Sequence, residues 1–166
     1  LLSIAVREWG WLEKNVCKNV SRAKESRGRV RFLSDQELSD LRRACENSKL
    51  PELKIIFLVA ITTGARRGEI MNLRWRHIDF KSNSITLLDT KNGDTRSVPL
   101  VNPALEEIKK WARIISIDEG GFVFPGRTDR TKNKSIDFDK AWRGSLSLSG
   151  VTDFRFHDLR HTAASY

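Results

Sequence analysis

Apolar residues fall first at helical spacing, then in a nearly continuous run, then in short alternating stretches. Leu2, Ala5, Trp9, Leu12 and Val16 recur three or four residues apart, which predicts an amphipathic helix over residues 1–20 whose apolar stripe needs a partner. Ser34 followed by Glu37 has the form of a capping box, and Leu38, Leu41 and Ala44 carry the helical period to about Glu46. Pro51 opens a second helix. It is apolar on almost every side from Leu53 through Ile61, the pattern of a segment at the centre of a core. Gly64 ends that helix, and another is expected over residues 66–76 with Ile70, Leu73 and Trp75 facing inward.

Residues 78–80, 85–88 and 96–100 then read as three short strands, with Asn92-Gly93 supplying a tight hairpin turn and Lys91 at its tip. Asn102 and Pro103 start a helix that turns Leu105, Ile108, Trp111, Ala112 and Ile115 inward. A short strand is expected over residues 122–124. Ser135 opens a further helix containing Phe138, Ala141, Trp142 and Leu146. No internal repeat or low-complexity segment interrupts this order.

Composition adds a partner class. The 166 residues allow one complete core and a fragment of another. Lys and Arg number 30 against 21 Asp and Glu, and the net charge of +9 favours a polyanion. Part of that excess lies in residues 21–31, where Arg22, Lys24, Arg27, Arg29 and Arg31 face only Glu25 and no apolar period exists, so this stretch reads as a basic linker. Residues 125–134 form a second basic tract, read as a mobile loop. Cys17 and Cys45 lack the spacing of a disulfide framework or a zinc site, which fits a reducing cytoplasm. The longest apolar run, residues 55–61, is far short of the roughly 20 residues that cross a bilayer, and no signal peptide is recognisable. No membrane role is implied.

Two stretches carry candidate chemistry: Thr63-Gly64-Ala65-Arg66-Arg67-Gly68-Glu69-Ile70, and His157-Asp158-Leu159-Arg160-His161-Thr162. Guanidiniums stay ionised and offer forked donors that match a phosphodiester, and an imidazole between them can move protons. Neighbours on a helix point roughly 100° apart, so one of Arg66 and Arg67 is expected to face a phosphate. Glu69, three residues after Arg66, is placed to orient that guanidinium. His157 and Arg160, also three apart, share one helix face. His157 and His161 would suit a metal pair by spacing, but the HExxH glutamate is missing and His77 is the only other histidine, so no metal and no cofactor is expected.

The TGxR stretch, the helix after it ending in Leu73-Arg74-Trp75, and HxxRHT much later resemble the tyrosine recombinases, the phage-integrase family. The resemblance covers residues 32–166 strongly and 1–20 weakly. It implies an α+β, mainly helical catalytic fold with a small three-stranded antiparallel sheet packed beside a helical core. Residues 1–20 would be the last helix of a DNA core-binding domain, 21–31 the interdomain linker, and 32–166 a catalytic domain lacking its C-terminal segment. Matching the motifs assigns Arg66 and Arg160 to the scissile phosphate and His157 to proton transfer at the nucleophile. Lys91, followed by Thr95-Arg96-Ser97-Val98-Pro99-Leu100, resembles the hairpin lysine that the family uses as general acid. The implied activity is site-specific DNA recombination or integration through a 3′-phosphotyrosyl intermediate, on double-stranded DNA with self-association, in a bacterial or phage-encoded cytoplasmic protein.

Tyr166 is the only tyrosine. It stands nine residues after His157, about half a turn out of helical phase, so it is not expected to be the nucleophile. In the family that tyrosine comes some tens of residues later. This chain is therefore expected to bind DNA without cleaving it. A type IB topoisomerase-like enzyme and a non-catalytic DNA-binding regulator are the alternatives.

Overall fold

The computed structural model describes residues 1–21, 30–88, 95–115, 118–128 and 130–165. Among these, the elements in chain order are α1 (Leu2–Arg7), α2 (Asp35–Glu46), α3 (Glu52–Thr63), α4 (Arg67–Met71), β1 (Ile78–Asp79), β2 (Ser84–Leu88), β3 (Thr95–Pro99), α5 (Ala104–Ile114), α6 (Asp139–Ser149) and α7 (Asp158–Ala163). The fold is α+β and mainly helical. A single antiparallel sheet of order β1-β2-β3 lies beside the helices, in a register that pairs Ile85 with Val98 and Leu87 with Arg96.

Helix α3 is the axis of the core, buried at Glu52 and Leu53 and without a break from Ile55 to Ala60, and packed against α2, α4, α5 and α7. Its last turn is closed by its own side chains: Thr62 and Thr63 donate their hydroxyls to the carbonyls of Leu58 and Val59. Gly64 then takes the left-handed conformation, φ +61°, and donates its N–H to Ala60. Helix α2 begins in the expected capping box, with Ser34 and Glu37 each accepting the other's backbone N–H. It packs on α3 and α6.

Four expected elements differ. The helix over residues 1–20 stops at Arg7, and Gly10 adopts φ +62° within the predicted span. Only the four residues Val16–Asn19 turn again, as a 3₁₀ helix. An amphipathic helix draws most of its stability from packing. Here Trp9, Trp11, Leu12 and Val16 are exposed, Trp11 by 74%. The helix expected over residues 66–76 ends at Met71 because the backbone beyond it pairs elsewhere: Val123 donates to Leu73, and Trp75 and Arg76 donate to Gly121 and Glu119. The same pairing leaves residues 122–124 as an isolated bridge from Phe122 to Arg74 in place of a strand. Helix α6 starts at Asp139, four residues after Ser135, since Ile136 donates to Phe124 and Ser135 bridges Pro125.

The described part of the basic tract 125–134 is tethered. Gly126 donates to Lys134, and Arg127 reaches the buried Glu52 at 2.7 Å. Among the described residues no helix is long and apolar enough to cross a membrane.

Candidate active site

The C-terminal end of α3 packs against α7. Arg160 donates a 2.7 Å hydrogen bond from Nη1 to the carbonyl of Gly64, across 96 residues of sequence. Arg66 follows Gly64 by two residues and is the N-cap of α4 in extended conformation, φ −70° and ψ 151°. An open cleft of about 280 Å³ lies here, lined by Thr62, Thr63, Gly64, Arg96, Arg160, Ala163 and Ala164.

Arg66 and Arg67 point to different neighbours, as adjacent residues at a helix start must. Arg67 turns to α6, pairing with Asp139 at 2.7 Å and lying over the Phe138 ring at 4.8 Å. Arg66 turns to Glu69, whose Oε1 accepts from Arg66 Nη1 at 3.2 Å and whose Oε2 accepts from the Arg66 backbone N–H at 2.7 Å. The expected orienting contact from Glu69 is therefore present.

Glu69 has a second partner that sequence reading missed. Arg96 on β3 grips the carboxylate with a fork, Nη1 to Oε1 and Nη2 to Oε2, both 2.7 Å. Burial pushes the Glu69 carboxyl up, but the hydrogen bonds from Arg96 and the Arg66 N–H outweigh it and hold the group below its ordinary value. A signal for this existed. Arg96, Val98 and Leu100 share one strand phase, and an arginine on the inward phase of a strand needs a buried acceptor.

His157 is placed by its neighbours. Along residues 154–157, buried Phe154 and Phe156 alternate with exposed Arg155 and His157. Phe156 packs edge-on against Phe138 and Trp142, with centroids at 4.9 and 5.2 Å. Buried Asp158 accepts the Arg155 N–H at 2.8 Å and starts α7 directly after His157. His157 thus stands exposed at the N-cap of α7, one turn before Arg160, its ring 6.0 Å from that of His161. Buried Thr162 accepts the Leu33 N–H at 3.1 Å and fastens α7 to the segment entering α2.

Lys91, Asn92-Gly93 and Tyr166 lie outside the described residues. Among those described, no group of three or more His, Cys, Asp or Glu side chains is placed to hold a metal ion. The described cleft is a solvent-open recess whose lining includes two guanidiniums, those of Arg96 and Arg160, and guanidinium donors suit an anion.

The fold is similar to solved structures at identities low enough that the likeness speaks for architecture alone. A lambda integrase dimer bound to a COC′ core site aligns with a TM-score of 0.69 at 21% identity, over 99% of this chain and 62% of that one. The catalytic domain of bacteriophage HP1 integrase aligns with a TM-score of 0.60 at 22% identity, over 82% and 71%. In sequence, the chain is 36% identical over 165 residues to a shufflon-specific DNA recombinase of Escherichia coli, and 34% identical over 176 residues to the integrase of Salmonella phage P22. These alignments take in 99% and 100% of this chain but only 40% and 43% of the two relatives, so the chain spans less than half of their length. Residues 31–166 match the phage integrase family, and the chain belongs to it.

Proposed function

We propose that this chain is part of a site-specific recombinase that breaks and rejoins double-stranded DNA through a tyrosine nucleophile. The observation that carries the reading is the Arg160–Gly64 hydrogen bond, which brings the second arginine motif to the turn presenting the first. In this reading Arg66 and Arg160 bind the non-bridging oxygens of one DNA phosphate and offset the charge that builds on them as a fifth oxygen approaches phosphorus. A tyrosine oxygen attacks phosphorus and gives its proton to His157. The bond to the 5′ oxygen breaks, and Lys91 protonates that oxygen as it leaves. A 3′-phosphotyrosyl link and a free 5′ hydroxyl result, and another strand's hydroxyl reverses the step. One phosphate ester replaces another of similar energy, so the exchange itself needs no ATP.

Residues 32–166 supply the catalytic domain, 21–31 the linker, and 1–20 the end of a preceding DNA-holding domain; the family match from residue 31 supports that boundary. The exposed Trp9, Trp11, Leu12 and Val16 are consistent with a segment that packs on further protein. The lambda integrase neighbour, a dimer on its core site, supports self-association on DNA as the working state. The protein would act in the cytoplasm of a bacterium, on chromosomal or phage DNA.

Tyr166 is not the nucleophile in this reading, so residues 1–166 bind duplex DNA and do not cleave it. Duplexes selected from a randomised pool by retention on the protein, then nicked to trap covalent intermediates, test this. Retention with no covalent adduct is the expected result. A phosphotyrosyl adduct at Tyr166 would overturn the assignment of the nucleophile, and failure to retain any duplex would overturn the reading itself.

A further inference from the structure

Glu69 is 6% exposed and carries one negative charge between two arginines. The two contacts are unequal. Arg96 engages both carboxylate oxygens at 2.7 Å, whereas the Arg66 guanidinium reaches one oxygen at 3.2 Å and its side chain remains 45% exposed. A buried carboxylate is costly unless a cation and hydrogen bonds satisfy it, and the stronger partner here is Arg96. Without Arg96, Arg66 is the cation still bonded to Glu69 among the described residues. Its guanidinium would be drawn down onto that carboxylate and away from solvent, where a phosphate must meet it.

We propose that Arg96 is a positioning residue: by neutralising Glu69 through both carboxylate oxygens, it keeps the Arg66 guanidinium presented to a DNA phosphate. The inference rests on the phosphate-binding reading of Arg66 given above. Arg96 acts through Glu69 and Arg66, and needs no contact with DNA of its own.

The test is duplex affinity, read by fluorescence anisotropy on residues 1–166 at fixed ionic strength with a fluorescein-labelled duplex from the selected pool. Arg66→Ala is expected to weaken binding about tenfold, the loss of one charge-assisted contact. Arg96→Gln is expected to weaken it by about as much. Adding Glu69→Gln to Arg96→Gln removes the anion that captures Arg66 and is expected to restore most of the affinity. A purely structural role or a direct Arg96–DNA contact gives no such rescue, so a double variant as weak as Arg96→Gln overturns the proposal. So does Arg96→Gln with unchanged affinity beside a weakened Arg66→Ala. If Arg66→Ala itself binds normally, the phosphate reading of Arg66 has failed and the proposal fails with it, which sets that case apart. If Arg96→Gln melts early, Arg96→Lys serves in its place: lysine keeps the charge, lacks the fork, and should lose severalfold in affinity that Glu69→Gln again recovers.

Discussion

Arg160 Nη1 stands 2.7 Å from the carbonyl oxygen of Gly64, so a residue of the last described helix is bonded to the turn that ends the central one. That bond spends one of the five guanidinium N–H donors on the backbone and leaves four for other acceptors or solvent. Arg160→Ala should weaken duplex binding by residues 1–166 by about tenfold and lower the slope of log affinity against log salt by about 1. In a longer form carrying the nucleophilic tyrosine, cleavage should fall by about 10² to 10³. Anisotropy titrations at several salt concentrations and single-turnover cleavage of a nicked duplex measure the two effects.

Gly64 itself is constrained by its left-handed backbone, since a Cβ there would meet only the Ala163 Cβ at an ordinary 3.8 Å. The cost of a side chain is therefore conformational. Gly64→Ala should destabilise the fold by about 1 to 2 kcal/mol, and Gly64→Asn by less, because asparagine visits this region more readily. Urea denaturation of the three proteins ranks them.

Glu37 gives stability an acid limb. The Arg31 guanidinium, followed by the Ser34 N–H, holds its carboxyl down to about 2. A folded value below the unfolded one means the contribution is complete above the ordinary carboxylate range near ~4.3 and is lost as pH falls through about 2. Both side chains are partly exposed, so the pair and cap together are worth about 1 kcal/mol. Glu37→Gln should be less stable by that amount at pH 7, with the gap closing toward pH 2. Melting temperatures across this range check it.

The two thiols should differ sharply. Cys45 is 1% exposed, and burial pushes its thiol up to about 12, whereas Cys17 is exposed. At pH 8 a disulfide reagent should titrate one thiol per native chain and two in denaturant. Rapid reaction of both in the native state would contradict the packing of α2 on α6.

What could be read from sequence was local. The Ser34–Glu37 box, the apolar run of α3, the Gly64 stop and the Arg66–Glu69 pairing are each local in the chain. What could not be read depends on distant partners. Residues 1–20 have helical spacing but no packed surface to hold the stripe. The end of α4 is decided by a strand-like segment near residue 121 that takes its backbone bonds. The strand phase of Arg96 calls for a buried acceptor but does not name it, and Glu69 lies 27 positions earlier. The meeting of Arg160 with Gly64 was expected only through the resemblance of two motifs to one family.

The central claim is that Arg66 and Arg160 serve a single phosphate. A structure of residues 1–166 bound to a selected duplex measures this directly. Both guanidiniums should lie on the non-bridging oxygens of one phosphate, at roughly 2.7–3.2 Å. Arginines resting on different phosphates, or either one turned away from the DNA, would contradict it.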